Sequence, residues 1–306
     1  MENGCYLIKK LIEMNFVYYL HDERSSEQFE RFLLKIRSKY NIVSTDVLYN
    51  NLRDGRHIKN TCCLTVDDGW VSTYEVIFPL VKKYNVPITI FVSPKSCKTG
   101  YNFWFYLIRF CNLDKLRQSI LDLGCFNESV LKYPVELILK ELDLNTIYSL
   151  ITKCIDGNKY ESIPRGFINT EELLEMHSSG LVTVGAHTLN HPILANESDE
   201  VSCYEIQESI SDLSNLINEP IRYFAFPNGL LNVDFGKREI ATIKEAGIQM
   251  AFSVDSNVIT KNVDLFSIPR ICSEKRLGLG RIGAILPSLS NQKGKRKSIR
   301  KLKYSV

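Results

Sequence analysis

The stretch "CCLTVDDGWVSTYEVIFPLVKKYNVPITIFVS", residues 62–93, decides how the rest of the chain is read. It holds two apolar runs of strand length, 62–66 and 88–92, with a segment of helical period between them. Strand, helix and strand in that order make a βαβ unit, whose two strands lie parallel. Directly after the first strand stand Asp67, Asp68 and Gly69. Asp-Asp-Gly is ordinary turn chemistry. Two neighbouring carboxylates also repel, and a fold that keeps them together needs a counter-charge, most simply a metal ion or a shared proton. Both readings stay open on these letters alone.

The same alternation continues on either side. Strands are expected at 16–20, 62–66, 88–92, 182–186, 223–226, 249–254 and 266–271, and helices at 25–40, 71–84, 169–180, 200–217 and 236–247. Asn169 or Thr170 has the character of a helix cap, and Gly180 and Gly247 fall where helices should stop. The pattern is that of an α/β fold with a largely parallel sheet, and seven or so strands suffice to close a barrel. Residues 98–165 break the rhythm with helical, aromatic and acidic segments and no convincing strand, as expected of a mostly helical insertion. Residues 1–290 are therefore expected to form a single domain. The tail 291–306, "NQKGKRKSIRKLKYSV", is read as disordered and solvated, with contact to anionic lipid headgroups as the minority alternative.

Composition narrows the function classes. A net charge of +3, with the basic excess gathered in the tail, argues against a nucleic-acid partner. Nine cysteines without a CxxC pair suit a reducing compartment. Lys9, Lys10 and Glu13 interrupt any secretory core near the N-terminus, so a cytoplasmic location is expected.

In parallel α/β sheets, ligands gather beyond the carboxyl ends of the strands. The polar exceptions of this sequence cluster there: His21 and Asp22 after the first strand, Asp67 and Asp68 after the second, His187 and His191 in "GAHTLNHPIL", Pro227, Asn228 and Gly229 in "FAFPNG", and Asp255 after "MAFSV". Two histidines spaced i, i+4 and one carboxylate from another segment make a three-ligand site with open positions, the arrangement that catalytic divalent ions require.

With those residues in place, "TVDDGW", "HTLNH" and "FAFPNG" resemble the first three motifs of the polysaccharide deacetylases of carbohydrate esterase family 4, over roughly residues 16–272 outside the insertion. The "FWFY" stretch at 103–106 resembles a branch associated with surface-polysaccharide biosynthesis, as a helix face packed on the barrel or as a wall of a sugar pocket. The resemblance implies a distorted (β/α) barrel that removes an N-acetyl group from an amino sugar. It implies Asp68, His187 and His191 as ligands of a divalent metal, usually zinc. It also implies Asp67 as general base and the backbone N–H of Asn228 as oxyanion donor, with Trp70 and Pro227 near the substrate.

Three departures stand out. The family's third motif carries an arginine that orients the catalytic aspartate, and here Arg222 lies a few residues too early. Asn228 replaces an aromatic residue. No histidine follows His191, so the family's late Leu-x-His is missing. His21 is the candidate to protonate the leaving amine in its place, and Asp67 acting in both steps is the alternative. Arg270 is expected to bind a phosphate, carboxylate or hydroxyl of the substrate. His57 and His177 receive no role.

The expected substrate is an acetylated amino-sugar intermediate, nucleotide-linked or lipid-linked, of O-antigen or exopolysaccharide synthesis. A polymeric glycan or another carbon–nitrogen amide is the alternative within the enzyme class. A carbohydrate-binding relative without activity is the alternative outside it. Oligomeric state is left open.

Overall fold

The computed structural model describes residues 15–21, 25–56, 60–155, 160–260, 262–272 and 286–303, with side chains of the last segment from 292 onward. Asp22 and His57 lie outside the described residues. Eight strands form one sheet: β1 Phe16–Leu20, β2 Asn41–Ile42, β3 Thr61–Asp67, β4 Ile88–Val92, β5 Val182–Ala186, β6 Tyr223–Ala225, β7 Met250–Phe252 and β8 Ile271–Cys272. Their order is β7-β6-β5-β4-β3-β1-β8, with β2 beside β3, and every ladder is parallel. Leu20 lies opposite Val66, Val66 opposite Ile90, and Ile90 opposite Val184, so the carboxyl ends of neighbouring strands stay level.

The expected strand at 266–271 is a short, irregular closing segment. Ile268 bridges Phe252 of β7, and three residues later Ile271 pairs with Tyr18 of β1. The sheet thus closes into a distorted barrel, with Arg270 between the two contacts.

The period of two along each strand decides what lies inside. Val17, Cys63, Phe91, Tyr223, Ala225, Met250, Phe252 and Ile268 form the inner cluster, whereas Leu64, Val66, Ile90, Val92 and Val184 face the surrounding helices. Gly185 is dictated by close approach, because a Cβ there would meet the Phe91 ring at 2.4 Å. Continuing the alternation along β3 from Cys63 brings Thr65 and then Asp67 to the inner side. Around the barrel, the helix Thr170–Ser178 begins with a capping box between Asn169 and Glu172, and Gly180 and Gly247 have positive φ just beyond helix ends.

Between β4 and β5, the helices Pro94–Thr99, Trp104–Leu107, Leu113–Asp122, Val135–Leu139 and Leu144–Cys154 fill the region without a strand among its described residues. The last four share an apolar cluster that includes Trp104, Leu116, Ile138, Ile147 and Ile151. Ile299, from the basic C-terminal segment, belongs to that same cluster. The reading of that segment as disordered and solvated is corrected here: Leu286–Lys303 is a helix, and Arg296 and Ile299 on it are buried. Four of the charges that suggested a solvated tail, on Lys293, Arg296, Arg300 and Lys303, have partners elsewhere in the fold. Lys295, Lys297 and Lys301 are its exposed cations.

Candidate active site

Three turns at the carboxyl ends of β3, β5 and β6 carry the candidate residues, and each bends through left-handed backbone. Asp68 and Gly69 have φ of 69° and 70°, Thr188 and His191 of 65° and 55°, Asn228 and Gly229 of 60° and 70°. Asp, Asn and His tolerate this region better than most residues, and strained backbone of this kind concentrates at functional sites. At Gly69 the demand is double, since a Cβ would also lie 2.8 Å from Cγ1 of Val92.

The turns bring Asp68, His187 and His191 together, with one ligand atom from each within 4.8 Å of the others. Nε2 of His187 lies 3.4 Å from Oδ1 of Asp68, and Nε2 of His191 lies 3.3 Å from the same oxygen. Nδ1 of His187 stands 2.6 Å from the carbonyl of Ala225. A carbonyl can only accept, so Nδ1 carries a proton, and Nε2 is the ring nitrogen turned toward Asp68. Burial lowers the pKa of His191, against the pull of Asp68, and favours its neutral form. Burial opposes the charge on Asp68, but the facing imidazoles outweigh it and hold its carboxyl well below the usual range. Oδ1 of Asp68 and Nδ1 of His191 have no hydrogen-bond partner among the described residues. A carboxylate and two imidazoles that meet in a buried site are a donor set that fits a divalent metal.

Asp67 is partnered differently. Arg270 donates from Nη1 to Oδ1 at 2.7 Å and from Nη2 to Oδ2 at 2.8 Å, a bidentate fork. Its remaining bonds go to Oγ1 of Thr65 and the carbonyl of Ser253, both at 3.0 Å, and its side chain is fully buried. This corrects the expectation that Arg270 binds substrate, because its donors are committed inside the barrel. It stands instead where an orienting arginine for Asp67 is needed. Arg222 is elsewhere, paired with Asp46 at 2.7 Å.

His21 is at the mouth, its side chain 40% exposed and its Nε2 4.0 Å from Oδ2 of Asp67. Trp70 donates its indole N–H to Oδ2 of Asp68 at 3.1 Å, and its ring packs against Phe105, Tyr106 and Phe167. The indole thus holds a candidate metal ligand. Pro227 is buried at the start of the third turn and its carbonyl accepts the N–H of Gly229. Asn228 is half-buried, and among the described residues its backbone N–H has no intramolecular acceptor and its side-chain Nδ2 no partner. Asp255 accepts from the N–H of Leu231 on the same turn. His177 lies on an outer helix, 3.6 Å from Glu219.

Sequence reasoning missed several supporting groups. Phe105 stacks edge-on against His191 with centroids 4.7 Å apart and stays half-exposed, whereas Phe103, Trp104 and Tyr106 are buried. Within "FWFY", three residues thus pack as core and Phe105 faces the candidate metal ligands. Trp104 donates to the carbonyl of His191 at 3.1 Å. Glu205 accepts from the backbone N–H groups of Leu189 and Asn190 at 3.0 and 2.9 Å and so braces the loop between the two histidines. The only sequence signal for Glu205 is an acidic residue on the inner face of an amphipathic helix, a weak one.

Residues 54–119 and 128–251 match the family model of polysaccharide deacetylase. The chain belongs to that family. Two poly-beta-1,6-N-acetyl-D-glucosamine N-deacetylases are among its relatives. The one from Staphylococcus epidermidis is 27% identical over 168 residues, 52% of each chain, so this chain spans about half the length of that relative. The one from Staphylococcus aureus is 21% identical over 274 residues, 84% of this chain and 72% of the other. Among solved structures, the Streptococcus pyogenes deacetylase PplD in complex with acetate superposes with a TM-score of 0.57 at 16% identity, covering 85% of this chain and 91% of that one, which shows the shared fold. The three motif turns of this polysaccharide deacetylase thus sit on the barrel type of its family.

Proposed function

We propose that this chain is a metal-dependent hydrolase that removes the N-acetyl group from an amino-sugar residue. The observation that carries the reading is the pairing of two adjacent carboxylates with opposite partners, Asp68 with two imidazoles and Asp67 with a buried guanidinium. Asp68, His187 and His191 would hold a divalent ion, which we take to be zinc and which supplies Lewis-acid polarisation of the acetyl carbonyl. Asp67, kept out of that cluster by Arg270, accepts the proton of the attacking water. The Asn228 N–H, which has no acceptor of its own, stabilises the oxyanion that forms, a contribution of about 3 kcal/mol for such a donor. His21 delivers a proton to the departing amine, and its exposure lets it regain one from solvent. Phe105 and Pro227 wall the acetyl-bearing sugar.

For the carrier, the names of the relatives support a β-1,6-linked N-acetylglucosamine glycan. A nucleotide-linked or lipid-linked precursor in the cytoplasm is the second reading, supported by cysteines that are all free among the described residues. Acetate release should be measured on oligomers and on nucleotide sugars with the zinc-loaded protein. Asp67→Asn should keep the metal and lose turnover by a factor of about 10²–10⁴. A variant that turns over normally would remove Asp67 from the mechanism and sink the reading.

A further inference from the structure

The basic segment that reads as a tail meets the active site's third turn. Lys293, Arg296 and Arg300 are spaced i, i+3, i+7 and share one face of the helix Leu286–Lys303. Lys293 Nζ donates to the carbonyl of Leu231 at 3.2 Å, and Arg300 Nη2 donates to the carbonyl of Val233 at 2.9 Å. Arg296 Nη1 donates to Oδ1 of Asp234. The same arginines also donate to both carboxylate oxygens of Glu141 in the helical insertion, and Lys303 donates to the Glu141 carbonyl at 2.8 Å. Arg296, Glu141 and Asp234 are 1%, 2% and 0% exposed. One helix face therefore ties the insertion to the turn that begins at Pro227.

The tie extends inward. Oδ2 of Asp234, whose other oxygen is held by Arg296, accepts the N–H of Leu230 at 3.0 Å. Leu230 is two residues from Asn228, and Val254 closes the same turn by donating to the carbonyl of Gly229 at 2.8 Å. Left without its guanidinium, the Asp234 carboxylate would be an uncompensated buried charge, and the N–H of Leu230 would lose a fixed acceptor.

We propose that Arg296 is a positioning residue: through Asp234 and Leu230 it fixes the direction of the Asn228 N–H, so that the docked C-terminal helix completes the active site. The proposal rests on the deacetylase reading, in which Asn228 supplies the oxyanion donor. A donor displaced by an ångström loses most of its effect on the transition state while substrate binding is spared.

The test uses the whole 306-residue chain carrying Arg296→Met, Arg296→Lys or Lys293→Met. Acetate-release kinetics, metal content and amide hydrogen exchange are measured on each. Arg296→Met should lower kcat by about tenfold to a hundredfold at unchanged KM and metal stoichiometry. Exchange should quicken in residues 226–236 and not in 182–192. Arg296→Lys should recover part of kcat. Because Arg296→Met also removes a buried charge partner, Lys293→Met is the folding-safe variant, and it should lower kcat by about threefold. Unchanged kcat in Lys293→Met and Arg296→Met, a change confined to KM, or exchange that quickens evenly across the molecule would each overturn the proposal. If the wild-type protein releases acetate from no substrate, the deacetylase reading fails by itself. Exchange then decides the tie alone: local quickening upholds it and an unaltered turn refutes it.

Discussion

Arg270 meets one carboxylate with both arms of its fork, whereas Arg296 is shared between two carboxylates from separate segments. Both guanidiniums are buried, and both find partners more than sixty positions away, at separations of 203 for Asp67 and 155 and 62 for Glu141 and Asp234. The geometry separates their work. A planar fork facing one carboxylate fixes the plane of that carboxylate, which a general base requires. A guanidinium divided between two segments fixes the distance between them. Ion pairs of this kind add little net stability, because desolvation consumes the Coulomb gain, yet losing one partner costs about 3–5 kcal/mol. Each pair is therefore better understood as a device for position than as a source of stability.

The comparison can be broken most decisively at Arg270. Replacing it with Met should reduce kcat by about 10²–10⁴-fold while metal content stays at the wild-type level, and Arg270→Lys should recover only part, since an ammonium cannot match both oxygens. Kinetics and metal analysis on the same preparations check this. A fully active Arg270→Lys protein would show that charge alone matters at Asp67 and would erase the distinction from Arg296. An intermediate effect is expected from metal removal. Chelation should lower the unfolding free energy by about 2.7 kcal/mol relative to protein with free metal at a hundred times its Kd, and His187→Ala should make the melting curve indifferent to metal. The turn tied by Arg296 should show no change in hydrogen exchange on chelation. The smallest effect belongs to Gly294, an exposed helical glycine where a Cβ would meet nothing within 4 Å. Gly294→Ala should raise stability by about 0.5–1 kcal/mol in denaturant titration, through backbone entropy alone.

Much of the catalytic end was legible because parallel strands make it so. Apolar runs such as 16–20, 88–92 and 182–186 announce themselves, and the residue after each run must stand at the barrel mouth, as Asp67, Asp68 and His187 do. Arg270 was misread because nothing local tells whether a guanidinium near a strand end points into the barrel or out to a ligand. Its partner lies 203 residues earlier, and only the closure of β8 against β1 brings the two together. The bond from Trp70 to Asp68 was not legible for a similar reason, since only the backbone turn at Asp68 directs the indole N–H to a neighbour two positions away. The basic tail failed in the opposite direction. Local charge density dominated the reading, while Glu141 and Asp234, which neutralise its inner face, are single acidic residues in unremarkable surroundings. Period-two and period-3.6 patterns report what a segment buries, and they are silent about which distant charge will meet it.

The segment 268–272 closes the barrel and carries the only guanidinium that reaches Asp67 among the described residues. During synthesis the ribosome makes Asp67 first and needs another 203 residues before Arg270 exists. At about 5–20 residues per second that delay is on the order of ten to forty seconds. The three candidate cation ligands, all made by His191, thus precede the guanidinium that holds Asp67. Under the proposed mechanism, the site is therefore completed only when the segment that carries Arg270 closes against β1.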